Sequence, residues 1–235
     1  YGSNASEQMA YGDMRSHADA NGFILVHPEA LDDIYGRSRW NIGGWSQSVH
    51  DDVKFTENLI NLLMDKYSIN AERIYSTGMS NGGFFSFHLA CNLSASFAAV
   101  ASVTGSMTYS TFDNCNPRKP TPVIQIHGSL DVTVPYKGSD TRNMKPIMDV
   151  MEYWKVSNAC DDYVLSLPGI LPGTTSWTET YQYSNCLNDT ENIHLYVQGA
   201  GHVWPGSIYA SVQSPDSSSS IWSFFLKYDI NGVIQ

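Results

Sequence analysis

The stretch RIYSTGMSNGGFFSFHLA, residues 73–90, constrains this chain more than any other. Its opening residues are β-branched and aromatic, the pattern of a short buried strand. Its closing residues, from Phe84 to Ala90, contain no Gly or Pro and read as a buried helix. Between them stands Gly78-Met79-Ser80-Asn81-Gly82, a Gly-x-Ser-x-Gly. A serine on a sharp strand-to-helix turn is held in strained backbone with its hydroxyl projecting. Gly78 and Gly82 then have a steric purpose, because strand and helix pass too close there for a Cβ. The same residues would also serve as a plain glycine-rich break, so the surrounding chain has to decide.

That chain alternates strand and helix. Residues 6–20 predict a helix capped by Asn21-Gly22, and residues 23–27 a short apolar strand stopped by Pro28. Residues 29–50 read as a long loop carrying Tyr35, Trp40 and Trp45, where the tryptophans either serve a site or pack the loop down. A helix follows over 51–67, acidic in its first turn. Beyond the Ser80 turn come strands at 97–103 and 122–127, separated by a loop over 105–121. A helix over 141–157 has Pro146 near its start. Residues 163–167 and 176–183 read as an antiparallel hairpin around PGILPGTT, and 193–197 as the last core strand. Asp216 and the serines after it cap a helix that runs to Lys227. This order predicts an α/β chain with a mostly parallel sheet covered by helices on both faces. Ligands of such a sheet gather at the carboxyl ends of its strands. With 235 residues, no linker and no internal repeat, residues 1–235 are expected to form one domain.

Composition narrows the function classes. The chain is 42% hydrophobic and 15% charged, which is globular, and its formal net charge of −10 argues against nucleic acid and anionic membrane surfaces. No apolar run approaches the length that spans a bilayer. The first residues lack the basic start and apolar core of a signal peptide. Cys91, Cys115, Cys160 and Cys186 include no C-x-x-C, so a zinc site is not expected. They are either buried free thiols or two disulfides, and each sits close to a loop or turn signal.

A serine hydroxyl needs a base to take its proton and a carboxylate to orient that base. On this kind of sheet the chain order is Ser, acid, His. His17, His27 and His50 precede Ser80; His88 lies in the following helix and His194 inside a strand. His127 ends a strand with no later partner in the right order. His202, in GAGHVWPG after the last core strand, is the base that remains. The acid must lie between. Asp113, Asp140, Asp149, Glu152, Asp161, Asp162, Glu179, Asp189 and Glu191 mostly fall in a predicted helix, hairpin or surface turn. Asp131, in IHGSLDVTVPY, follows a core strand closely, although an aspartate there could also be a turn residue.

TGMSNGG, IHGSLDVTVPY and GAGHVWPG, in that order, resemble the secreted α/β-hydrolase esterases that include feruloyl and acetylxylan esterases and polyhydroxybutyrate depolymerase-like enzymes. The similarity runs from ADANGFILVHPEA to IWSFFLKYDI. The resemblance implies an α/β-hydrolase fold and a secreted, monomeric serine esterase. Its nucleophile would be Ser80, its acid Asp131 and its base His202. Asn81 N–H would be one oxyanion donor, and no metal or organic cofactor is needed. The implied substrate is a feruloyl or acetyl ester of plant-type polysaccharide, or alternatively a polyester; a non-catalytic binding protein of the same fold is the remaining reading. It further implies disulfides Cys91–Cys115 and Cys160–Cys186, and a Trp204 that lines the acyl or alcohol pocket or simply packs its loop, with Trp40 and Trp45 as further substrate contacts. In that family the second oxyanion donor follows an apolar strand ending in His-Gly. No such strand precedes Ser6, so the expectation is an N-terminally truncated chain that lacks its first strands, with Tyr1 standing where the second donor belongs.

Overall fold

The computed structural model describes residues 1–45, 49–166, 177–210 and 215–234. Helices α1 (Ala5–Tyr11), α2 (Arg15–Asn21) and α3 (Asp52–Lys66) precede strand β1 (Tyr75–Met79). Then come α4 (Asn81–Asn92), β2 (Ala99–Val103), α5 (Tyr109–Asn114), β3 (Val123–Gly128) and α6 (Ile147–Ser157). The chain continues through β4 (Asp162–Ser166), β5 (Thr178–Ser184), β6 (Asn192–Val197) and α7 (Ser217–Phe225) to a small ribbon of β7 (Tyr228–Asp229) and β8 (Gly232–Val233).

The main sheet runs β1-β2-β3-β6-β5-β4. Its first four strands are parallel, while β5 is antiparallel to both β6 and β4. This is the mostly parallel α/β-hydrolase-type sheet expected. Successive side chains of a strand face opposite sides, and β2 and β3 divide accordingly. Val100 and Val123 pack with Phe84 and Phe87 of α4 and Trp154 of α6 on one face. Ala99, Ala101, Val103, Ile124 and Ile126 pack with Ile221, Trp222 and Phe224 of α7 on the other. Both faces are therefore covered, which is why every residue of β2 and β3 is buried, the polar Ser102, Gln125 and His127 included.

Four local expectations need correction. The first helix is two, because the chain breaks between Tyr11 and Arg15, where Asp13 turns back to accept from Arg15 N–H. Residues 23–27 form no strand. β1 is the outermost strand of the sheet, yet this segment makes no ladder with its free edge; the two line one cavity of about 640 Å³. The stretch between β2 and β3 contains α5, nucleated by Thr108, whose hydroxyl caps Thr111 N–H. The helix after Pro146 starts at Ile147, with Asp140–Arg142 forming a separate 3-10 turn. The hairpin pairs β4 with β5, but its PGILPGTT tip lies outside the described residues.

Two disulfides form, Cys91–Cys115 and Cys160–Cys186, with sequence separations of 24 and 26. The first ties the end of α4 to the residue after α5, and the second ties the two outer ends of the β4–β5 hairpin. Closing loops of this size constrains the unfolded chain by about 3 to 4 kcal/mol each. Replacing Cys160 and Cys186 together by alanine is therefore expected to lower the unfolding free energy by that amount in a denaturant titration. An unchanged midpoint would show that the bridge contributes nothing to stability.

Candidate active site

Parallel pairing assembles the site at one sheet edge. Ser80 N–H donates to Val103 O at the end of β2 (2.8 Å), and Thr104 N–H to Ile126 O of β3 (2.8 Å). Ser129 N–H donates to Val197 O at the end of β6 (3.0 Å), and Leu130 N–H to Ala200 O (2.9 Å). The loops that follow β1, β3 and β6 are thus tied in one row. These loops carry Ser80, Asp131 and His202, far apart in sequence.

Ser80 is strained. Its φ of 53° and ψ of −120° lie in a region that L-residues rarely occupy. The turn is sharp because α4 begins at the very next residue. A Cβ on Gly78 would stand 2.5 Å from the carbonyl carbon of Gly82, so Gly78 has the steric purpose predicted. Gly82 does not: a Cβ there would meet nothing within 4 Å. The second tight position is Gly83, whose Cβ would lie 2.7 Å from Ser102 Oγ. The helix turns so that Gly82 presents backbone to the strand and Gly83 presents its side-chain position.

Asp131 is buried and its carboxylate is held from two sides. Oδ1 accepts from Thr133 N–H (2.9 Å) and Val134 N–H (2.8 Å). Oδ2 is 2.8 Å from His202 Nδ1. A carboxylate is an acceptor, so Nδ1 carries the proton and Nε2 is left as the basic nitrogen of His202. The Asp131 and His202 loops can approach only because Gly128 lacks a side chain, since a Cβ there would lie 2.3 Å from Ala200 O. Ser80 Oγ makes no hydrogen bond across its helix start. Met79, beside Ser80, shares an apolar cluster with Val203 and Trp204, beside His202.

Asn81 opens α4, where N–H groups have no partner inside the helix. Its side chain is not free. Trp40 N–H donates to Asn81 Oδ1 (2.8 Å) and Asn81 Nδ2 donates to Trp40 O (3.1 Å). The carboxamide thus pairs with the backbone of the long loop like a short bridge, a clamp that no sequence motif announces. Trp40 stacks on Phe85 at 4.9 Å between ring centres, and Trp45 packs on Phe84 while its indole donates to Arg142 O. Trp204 is 2% exposed, and its indole donates to Ser218 Oγ. All three tryptophans hold loops against the body of the protein. The ring of Tyr1 lies under the Arg39 guanidinium at 4.3 Å. Tyr1 lines the 640 Å³ cavity together with Trp40, Met79, Asn81 and Trp204. Among the described residues no cluster of His, Cys, Asp and Glu could hold a metal ion, and no helix is long and apolar enough to cross a membrane.

A serine on a strained strand-to-helix turn, with an Asp–His pair on the neighbouring strand ends, defines an α/β-hydrolase. The sequence pattern of the phospholipase/carboxylesterase family matches residues 33–152, just over half of the chain. The chain belongs to that family. The bifunctional acetylxylan esterase/xylanase XynS20E of Neocallimastix patriciarum is 23% identical over 219 residues, which cover 92% of this chain and 28% of that protein. Feruloyl esterase B of Piromyces equi is 27% identical over 208 residues, covering 84% of this chain and 37% of that protein. The chain thus spans about a third of the length of these two relatives. An acetyl xylan esterase structure from Aspergillus awamori shares the fold with a TM-score of 0.64 at 14% identity, covering 94% of this chain and 84% of that one.

The glycine geometry separates two substitutions that look alike in sequence. Gly78→Ala is expected to destabilise the fold by about 1 to 3 kcal/mol, because the new methyl meets backbone that cannot yield. Gly82→Ala, facing open space, should change stability by less than about 0.5 kcal/mol. Thermal unfolding of the two variants checks this, and equal losses would contradict the assignment.

Proposed function

We propose that this chain is a secreted serine esterase that works through an acyl-enzyme, with Ser80 as nucleophile, His202 as base and Asp131 as orienting acid. The observation that carries the reading is the 2.8 Å contact between His202 Nδ1 and Asp131 Oδ2 on the same sheet edge as the strained Ser80. Ser80 Oγ attacks the ester carbonyl as its proton passes to His202 Nε2. The carbonyl oxygen takes negative charge and accepts from Asn81 N–H at the start of α4. His202 returns the proton to the departing alcohol. Water, deprotonated by the same nitrogen, then releases the acid and restores Ser80. Asp131 stays ionised and stabilises the imidazolium at each step. Nothing in this scheme calls for a metal or organic cofactor.

The substrate class proposed is a feruloyl or acetyl ester of plant-type polysaccharide. The similarity to an acetylxylan esterase and a feruloyl esterase supports it. Two disulfides fit an oxidising, extracellular setting. One observation favours a second reading, a polyester depolymerase. Leu130 and Val132 on either side of Asp131 are 64% and 80% exposed, and Ile208 beyond His202 is 90% exposed. Exposed apolar groups on the loops that carry Asp131 and His202 would suit an insoluble apolar chain.

Ser80→Ala is expected to reduce ester hydrolysis at least about a thousandfold with the fold intact, and His202→Ala by a similar factor, because the three residues act as a unit. Asp131→Asn should be severe but milder. A Ser80→Ala protein that keeps more than a few per cent of activity would sink the assignment. A panel of methyl ferulate, acetylated xylan and a polyhydroxybutyrate film separates the substrate readings, with faster release from the film favouring the second.

A further inference from the structure

β3 carries two buried polar side chains that point to one face of the sheet and that the proposed chemistry does not use. Gln125 and His127 are both 0% exposed. Gln125 Nε2 lies 2.9 Å from Gly105 O and 2.9 Å from His127 Nδ1. His127 Nε2 lies 2.8 Å from Val134 O and 3.5 Å from Asp131 Oδ2. At 3.5 Å the last contact is too long for a direct hydrogen bond, but it is close enough for the charge state of the ring to act on the carboxylate.

The direction of every proton in this row is fixed by its two ends. Gly105 O and Val134 O are backbone carbonyls and can only accept. The Gln125 atom beside Gly105 O must therefore be the nitrogen, and its second hydrogen faces His127 Nδ1. Val134 O requires that His127 Nε2 carry the ring proton. A second proton on Nδ1 would confront the amide hydrogens of Gln125, which opposes the imidazolium against the weaker pull of the nearby Gly105 O. Burial acts in the same direction and lowers the His127 pKa to about 4. The other ionisable groups facing the ring are Asp131, His202, His194 and Tyr136. His194 is itself held neutral by burial, at about 3. The remaining Gln125 atom, Oε1, is buried with no partner, a cost that the reverse orientation would exceed by placing oxygen against Gly105 O.

We infer that Gln125 and His127 are positioning residues for Asp131. Gln125 locks His127 as a neutral Nε2–H tautomer, and His127 clamps the Asp131–Val134 turn through Val134 O. The same Val134 presents its N–H to Asp131 Oδ1, so the clamp sets where the carboxylate stands. Because His127 carries no charge, the whole negative charge of Asp131 remains for His202. The inference deepens the proposed triad and rests on it for its catalytic meaning.

The test is histidine NMR on the 15N-labelled full chain, combined with kinetics on methyl ferulate. In the wild type, His127 is expected to show the Nε2–H tautomer at every pH from 5 to 8, with no titration. His127→Gln keeps a donor for Val134 O. It should retain the downfield proton signal of the His202–Asp131 hydrogen bond and a kcat within about threefold of wild type. His127→Leu removes the donor. It should weaken or broaden that signal and lower kcat about tenfold with KM unchanged, as expected of a displaced catalytic group. Gln125→Met removes the amide that opposes a second proton on Nδ1, while Val134 O still holds the proton on Nε2, so His127 should take up a second proton at a higher pH than in the wild type. An Nδ1–H tautomer, or titration of His127 anywhere between pH 5 and 8 in the wild type, would overturn the proposal. So would a folded His127→Leu protein with an unaltered signal and kcat. If Ser80→Ala retained hydrolysis, the triad reading would fall by itself, while the spectra, recorded without substrate, would still decide the tautomer and the clamp.

Discussion

Everything at the site depends on the parallel pairing of β1, β2, β3 and β6. Parallel strands point their carboxyl ends the same way, so the loops that leave them emerge on one edge. The backbone bonds from Ser80 to Val103, Thr104 to Ile126 and Ser129 to Val197 extend this pairing past the strand ends. They hold three loops in register that no local interaction would bring together. Two apolar layers fix the register, because a slip of one residue would carry Val100 and Val123 to the wrong face.

Backbone strain at Ser80 and close approach at Gly78 and Gly128 are the costs of this convergence. Ser80 stays at positive φ because the strand before it is paired with β2 and the helix after it packs against the same sheet. Gly128 permits the Asp131 loop to touch the His202 loop, which brings the carboxylate within hydrogen-bonding distance of the imidazole. A side chain at either glycine would act on the site through the backbone, without contacting a reacting group.

The sequence made the strand, turn and helix around Ser80 readable, since β-branched residues, glycines and an unbroken apolar run fall in that order. The choice of Asp131 and His202 followed from chain order and strand ends, and those residues stand 2.8 Å apart. What escaped depended on contacts distant in sequence. Residues 23–27 have strand composition but join no ladder, so propensity alone misled. Gly82 and Gly83 look interchangeable until the helix phase is known. The clamp between Asn81 and Trp40 joins residues 41 apart and has no motif. His127 does not fit the chain order of a base, whereas in the structure it stands behind Asp131, its Nε2 3.5 Å from Oδ2. A glutamine two residues before it, in a strand otherwise apolar, was the available signal: a buried amide in such a run needs partners.

The central claim, that Ser80 is the activated nucleophile of this fold, is tested most directly by covalent labelling. A fluorophosphonate reacts with a serine hydroxyl that a neighbouring base has activated, with loss of fluoride. Incubation of the folded chain followed by peptide mass spectrometry should find one adduct per molecule, on Ser80, and His202→Ala should remove it. An unlabelled chain, or an adduct on another serine with Ser80 unmodified, would contradict the account.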